Sequence, residues 1–516
     1  MSGDLEKLQR SARDLARWQK AQQELLTGRA SLALGLYVDL AQKFPSVPAL
    51  WFELGLAAAK ELDFDRADGA FSRAAELGAS NVSLLVLLGQ QYHQLRRLDK
   101  ARACFQAAVT AEPESTHARL SLADWFERER RLEDAWECVE ACDPRSAEAR
   151  CFKARLLHSQ GKTTDAETLL RDLIKEDAPN FHVKFASRHQ LAVVSDAAGQ
   201  YSEALHWLAE AKAQLRQSTN VSKMEQDYDR ADRRRRDLLA ALTPAMIQRW
   251  QVENFLPPAP RRLAFLGGHP RTGTTLLEQI LGAHPGIAAF DEPPAFTQEI
   301  LEKLAPLNSP VALTLKTLEG LPDNTRAGYR QRYLKSLLRE GNPAAGTEVL
   351  LDKNPSPTAF LHLWLRLIPG LKVIVALRDP RDVIISCYFQ NLMLNPTNAN
   401  FLRLERAAKH YADLMDVWLR LRDLGGFDWI ETRYEDVVAN LESEGRRATE
   451  FLGVAWHPQQ AAFHEAARNK FVFSPTYKEV ARPVHKRAVG RWRNYETVLA
   501  PLQEKLVPYC RAFGYS

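Results

Sequence analysis

Small and aromatic residues recur at a fixed interval through the first part of the chain. Ala33, Ala67, Ala101 and Ala135 each stand 34 residues apart, and Gly55 with Gly89, Phe71 with Phe105 and Ala74 with Ala108 keep the same step. Pro45 and Pro113 close units in "FPSVP" and "EPEST". A period of this length predicts a pair of antiparallel helices per unit. Small residues let the two helices approach, and aromatic rings fill the groove to the next pair. Gly55 and Gly89 fall in first helices, where close packing offsets glycine's helical cost of about 1 kcal/mol. The step then drifts, Ala166 following Ala135 by 31 residues, before "LAVVSDAAGQYSEALHWLAEAKAQL" restores it around Ala204. Roughly five or six pairs are expected between residues 15 and 215. Such a stack offers a concave groove for a peptide or protein segment and has no chemistry of its own.

The pattern changes after residue 215. "DRADRRRRDLLAALTPAMIQRW" carries a basic run, Arg233 to Arg236, ahead of an apolar helical stretch. It reads as a solvated helix face and not as a nucleic-acid site. "LPPAPRR" reads as a rigid, extended linker. Beyond it, "RRLAFLGG", "TEVLLDKNP", "LKVIVALRDP" and "DWIETRYED" are short apolar runs ending in polar residues, and "TTLLEQILGAH" has helical spacing at Leu276, Leu277, Ile280 and Leu281. Strands alternating with helices imply a parallel sheet whose ligand site lies at the carboxyl ends of the strands. The expected fold is an all-α solenoid over residues 1–215, a helical and proline-rich linker over 216–260, and a P-loop-like α/β domain over 261–516.

Composition narrows the function. A net charge of +5 over 516 residues hints at anionic ligands without arguing for nucleic acid. The N-terminal "MSGDLEKLQRSARDLARWQ" lacks the apolar core of a signal peptide. No run approaches the roughly 18 apolar residues of a membrane span, so a soluble, unanchored protein is expected. Cys104, Cys138, Cys142, Cys151, Cys387 and Cys510 have no zinc-like spacing. They are expected to be reduced and buried, which fits the cytoplasm.

The chemistry concentrates in "FLGGHPRTGTTLLEQILGAHP", where Gly268 and Gly273-Thr274-Thr275 outline a phosphate loop that lacks its lysine. A strand, a glycine turn and a helix start aim backbone N–H groups at one point, and the helix dipole adds positive charge. Arg271 can pair bidentately with an oxyanion, and the threonine hydroxyls can donate to it. Without the lysine or an evident acid for Mg²⁺, a triphosphate fits poorly. A second anion site is expected in "VIVALRDPRDVIISCYFQN": a strand ends at Arg378, Asp379 caps a helix with Pro380 in its first turn, and Ser386 returns to the same face about two turns on. Singly, the first could be a tight connection and Arg378–Asp379 a plain ion pair. In order within one domain, they imply a ligand with two separated anionic groups.

Through these motifs residues 255–516 resemble the sulfotransferases that use 3′-phosphoadenosine 5′-phosphosulfate. "HPRTGTT" is similar to their 5′-phosphosulfate loop, "LRDPRDVIIS" to their 3′-phosphate motif, and "GRWRNYE" to the segment that closes over the cofactor. "TGTTLLEQIL" followed by "AHP" resembles tyrosylprotein sulfotransferases and bacterial fusions of tetratricopeptide repeats to such a domain, and the repeats of the first half resemble tetratricopeptide units. The resemblance implies that Arg271, Thr272, Gly273, Thr274 and Thr275 line the 5′ end, that Arg378 and Ser386 hold the 3′-phosphate, and that Tyr434 lies beside the adenine. Arg491 stands in place of a cofactor-binding lysine. Glu292, seven residues after Pro285, takes the place of the catalytic glutamate, Lys353 that of the transition-state lysine, and Thr476 that of a serine.

Sulfuryl transfer should be an in-line displacement like phosphoryl transfer. Glu292 would take the acceptor's proton, helped by burial, with Asp291 as the rival base. Lys353, Thr476 and the loop amides would stabilise the departing oxygen, with adenosine 3′,5′-bisphosphate as product and no metal required. His269 and His284 are expected in packing and turn roles. Gln390 replaces a cofactor-contacting arginine and Pro293-Pro294 replace polar and basic residues of the tyrosylprotein enzymes. The acceptor hydroxyl is therefore open among peptide tyrosine, sugar and small molecule. The alternatives are a P-loop kinase or nucleotide hydrolase, and a non-catalytic scaffold with a degenerate nucleotide fold.

Overall fold

The computed structural model describes residues 3–61, 63–177, 180–218, 220–252, 261–304, 313–341, 343–468 and 484–516. It divides into two compact units, Met1–Ala178 and Pro179–Ser516. Most of "LPPAPRR", and Thr476, lie outside the described residues.

The described residues of the first unit form helices joined by short turns. The periodic alanines sit in second helices: Ala33 in Ala30–Lys43, Ala67 in Phe64–Leu77, Ala101 in Leu98–Ala111 and Ala135 in Leu132–Glu140. All four are fully buried. Gly55 and Gly89 lie in the preceding helices, Pro48–Lys60 and Val82–Gln94. A Cβ at Gly55 would overlap the Phe71 ring, and one at Gly89 would come within 2.7 Å of Phe105 Cε1. The 34-residue period is thus a packing rule in which glycine on one helix receives the aromatic ring of the next. Asn81, Ser115 and Ser146 each accept a backbone N–H three residues ahead, satisfying a donor that the helix start leaves open.

The second unit opens with another helix pair, Phe181–Ala197 and Tyr201–Ser218, with Ala204 and Leu208 fully buried. Helices Val221–Ala240 and Pro244–Val252 follow, and then the sheet. Its strands are β1 (Arg262–Gly268), β2 (Ile287–Asp291), β3 (Val349–Lys353), β4 (Lys372–Leu377) and β5 (Trp429–Arg433). They are ordered β2-β3-β1-β4-β5, and all pairings are parallel. Four of these strands match the apolar runs. β2 is additional, because "IAAFD" is short, with alanine at two of its five positions, and becomes a strand through its register on β3.

Successive residues of β1 supply opposite faces of the sheet. Leu263 and Phe265 join a core with Phe296, Tyr333 and Trp364, while Ala264 and Leu266 pack with Leu277, Leu281, Ile374 and Leu452. The order reverses direction at β1, and that reversal opens a crevice at the carboxyl ends of β1 and β4. Among the described residues no helix is long and apolar enough to cross a membrane. The six cysteines are unpaired.

Candidate functional site

The turn after β1 is shaped by close backbone approach. Gly268 has φ 128°. A Cβ there would run into the Ala376 carbonyl of β4, so no larger residue fits. The Gly268 N–H donates to Thr358 Oγ1 at 2.8 Å, and Thr272 Oγ1 donates to the His269 carbonyl at 2.8 Å. Arg271 and Gly273, with φ 75° and 92°, then swing the chain into helix Thr274–Gly282. A non-glycine residue at such a φ is strained, and strain of this kind gathers where a ligand must be met. Gly273 faces Tyr434, whose Cδ2 would lie 2.6 Å from an added Cβ. Among the described residues no side chain caps this helix start.

Three arginines gather around that start. Arg271 Nε donates to Ser386 Oγ at 3.1 Å, and Arg378 Nη1 donates to the Arg271 carbonyl at 3.2 Å. Arg378 stacks 4.9 Å from the Tyr434 ring, and its buried Nε has no hydrogen-bond partner among the described residues. Burial lowers the pKa of Arg271 below its ordinary value, with nearby Arg378 and Arg491 adding to the effect against Cys387 and Glu292. Positive charge packed against positive charge in this way favours a bound anion.

Helix Pro380–Tyr388 begins as the sequence suggests. Asp379 caps it by accepting the Arg381 N–H at 2.9 Å, and its other oxygen holds the Arg381 guanidinium at 2.7 Å. The plain Arg378–Asp379 pair is therefore not formed, and Arg378 faces Asp382 at 3.8 Å instead. Burial raises the Asp382 carboxyl above its ordinary value, opposed by Arg378 and by the N–H groups of Trp492 and Gly490, each donating at 2.7 Å. Asp382 thereby fastens "GRW" to the helix that carries Ser386.

Lys353 ends β3 beside Leu266 of β1 and Asp291 of β2. It is fully buried. Its ammonium pairs with Asp291, lies 3.1 Å from Glu292 Oε1 and donates to Thr275 Oγ1 at 3.5 Å. Burial alone would lower its pKa, but Glu292, Asp291 and Glu278 outweigh burial and hold it at about 12. The Glu292 side chain is 41% exposed and that of Asp291 4%, so the expected burial falls on the rival carboxylate. Glu292 has φ 49°, and its N–H donates to the Lys353 carbonyl at 2.8 Å.

Arg491 lies in the 3₁₀ turn Arg491–Tyr495, with Nη2 2.8 Å from Asp196 Oδ2 and its guanidinium 4.4 Å from the Phe389 ring. His269 packs against His410 and Tyr411 at 5.0 and 5.1 Å, and burial drops its pKa to about 4. His284 accepts the Gly286 N–H within its turn. The structure thus brings Arg271, Thr272, Gly273, Thr274, Thr275, Arg378, Ser386, Tyr434, Lys353 and Glu292 to one end of the sheet, with Arg491 tied to it through Asp382. Sequence reasoning missed Thr358, Asp382 and Asp196. Only Asp382 carried a local signal, one turn from the cap in "RDPRD".

These features define an α/β domain with three arginines gathered at a glycine turn. A sulfotransferase-family model matches residues 264–458, and a tetratricopeptide-repeat model matches residues 86–141. Residues 264–458 are thus similar to the sulfotransferase family, and residues 86–141 to tetratricopeptide repeats. An uncharacterized protein of Aquifex aeolicus is 26% identical over 361 residues, 67% of this chain and 44% of that protein. The protein-tyrosine sulfotransferase A of Caenorhabditis elegans is 24% identical over 260 residues, 49% of this chain and 66% of that enzyme. The solved sulfotransferase domain from the Synechococcus PCC 7002 olefin synthase is 20% identical, covering 50% of this chain and 98% of that one, with a TM-score of 0.35. The chain spans less than two thirds of the length of either relative.

Proposed function

We propose that this protein transfers a sulfuryl group from 3′-phosphoadenosine 5′-phosphosulfate to an acceptor hydroxyl. The observation that carries the reading is the gathering of Arg271, Arg378 and Arg491 at a helix start that no side chain caps, with Arg378 Nε buried and unpartnered, among the described residues. Such donors suit a nucleotide with two separated anionic groups. Arg271, Thr272, Gly273, Thr274 and Thr275 would hold its 5′ end, and Arg378, Ser386 and Arg491 its 3′-phosphate. Tyr434, already stacked on Arg378, offers a face to the base.

When bound, the donor supplies the activated sulfuryl group. Glu292, the more exposed of the two carboxylates at Lys353, would accept the acceptor's proton at Oε1 or Oε2. Asp291 is engaged in the buried pair and serves to hold Lys353. Lys353, kept charged by those carboxylates, would stabilise negative charge on the departing oxygen together with Thr476 and the loop amides. The acceptor is a hydroxyl on a peptide tyrosine, a carbohydrate or a small molecule. The tetratricopeptide repeats would recruit it, or a partner protein, as an extended segment. The unpaired cysteines support action in a reducing compartment such as the cytoplasm.

Transfer of labelled sulfate from the donor to an acceptor panel tests the reading, with Glu292→Ala as the control. That variant should lose transfer by about 100- to 10,000-fold while binding adenosine 3′,5′-bisphosphate nearly as wild type does. Equal loss of both would refute the assignment of Glu292 as base.

A further inference from the structure

The helix pair that opens the second unit grips the segments that carry the proposed 3′-phosphate site. Helix Pro380–Tyr388 ends with carbonyls that have no partner inside the helix. His189 Nε2 lies 3.0 Å from the Phe389 carbonyl, and Lys212 Nζ donates to the Gln390 carbonyl at 2.6 Å. Farther along, Arg216 donates to the Leu402 carbonyl at 3.0 Å. Donors placed at a helix C-terminus satisfy its open acceptors and complement its dipole.

Asp196, at the end of the first helix of the pair, reaches the other segment. One carboxylate oxygen lies 2.8 Å from Arg491 Nη2, and the other accepts the Tyr495 hydroxyl. The Arg491 guanidinium is flanked by the rings of Phe389 at 4.4 Å and Tyr495 at 5.8 Å. Its backbone is fixed on both sides, since the N–H groups of Gly490 and Trp492 bind Asp382. A guanidinium presents five donors in one plane. With one edge on Asp196 and rings nearby, its remaining edge has a set direction.

We propose that Asp196 is a positioning residue for the 3′-phosphate subsite, orienting Arg491 toward that group. The inference rests on the donor reading given above. The rotamer freedom of Arg491 is already lost before a ligand arrives, so less is lost on binding. The effect is confined to the phosphate that Arg491 meets and leaves the 5′ end untouched.

Calorimetric titration of the full chain with adenosine 3′,5′-bisphosphate and with adenosine 5′-monophosphate separates the possibilities. Asp196→Asn, nearly isosteric, should weaken the bisphosphate about tenfold and the monophosphate less than about twofold. Asp196→Glu should recover part of that loss. Tyr495→Phe, which removes one of the two partners of Asp196, should weaken the bisphosphate in the same direction by a smaller factor. Equal weakening of both nucleotides would reduce Asp196 to a structural role, and unchanged or tighter bisphosphate binding would overturn the proposal. Should the wild-type chain itself fail to prefer the bisphosphate, the donor reading falls and the proposal with it.

Discussion

Replacing Lys353 with methionine isolates what the buried cation does. The change keeps most of the length of the side chain and removes its charge, leaving Asp291 with a side chain only 4% exposed and no ammonium beside it. Breaking a buried pair from one side costs about 3–5 kcal/mol, because the remaining charge is stranded out of water. Glu292→Gln disturbs the other arm of the same cluster, but there the carboxylate is 41% exposed, and solvent limits the contribution to about 1 kcal/mol or less. At about 2 °C per kcal/mol for a unit of this size, Lys353→Met should lower the midpoint by about 6–10 °C and Glu292→Gln by no more than about 2 °C. Differential scanning calorimetry of the full chain reads both, taking the transition that adenosine 3′,5′-bisphosphate raises as that of the second unit. Adding Asp291→Asn to Lys353→Met should return part of the loss, since no stranded charge remains. The Lys353 pKa is raised from 10.5 to about 12, so its contribution is complete below the unfolded value and is lost only as pH climbs through the folded one. The wild-type advantage should therefore be flat from neutral pH to about 10. A Lys353→Met protein as stable as wild type, or a Glu292→Gln protein equally damaged, would refute the reasoning.

Gly273→Ala meets two obstacles, a φ of 92° and a Tyr434 carbon 2.6 Å from the new methyl. The left-handed backbone alone costs about 1–2 kcal/mol, so bisphosphate affinity should fall about tenfold or more, with partial recovery when Tyr434→Ala is added. Unchanged affinity by titration would count against a tight loop. Burial lowers Lys212 from 10.5 to about 8, so the unfolded chain holds that proton more firmly between those values. Stability from this group is lost as pH falls through about 8, and the wild-type midpoint should gain on that of Lys212→Met between pH 7 and about 10. A constant difference across that range would show that Lys212 does not titrate there.

The features legible in the sequence were those written in adjacent residues or in a strict repeat. The glycine turn at Gly268 and Gly273 and the Asp379-Pro380 helix start depend on local backbone demands, the Ala33 period on packing repeated from one helix pair to the next, and the structure has each of them. β2 escaped because "IAAFD" has little strand preference and exists through its pairing with β3. That pairing also hid the partner of Lys353: Asp291 read as a rival base, whereas the register places it opposite the lysine. Asp196 carried no local signal, since its meaning lies in a contact with Arg491 across most of the chain's length. Side chains that act through sheet register or long-range docking are invisible to spacing arguments, and at this site they hold Lys353 and Arg491 in place.

The most direct test of the central claim is a calorimetric titration of the full chain with adenosine 3′,5′-bisphosphate beside ATP and Mg²⁺. Tight binding of the bisphosphate, with ATP·Mg²⁺ weak or silent, is the expected result. It would leave the acceptor hydroxyl as the next question. Preference for ATP·Mg²⁺, or no binding of either, would contradict the assignment of Arg271, Arg378 and Arg491 to a sulfuryl donor.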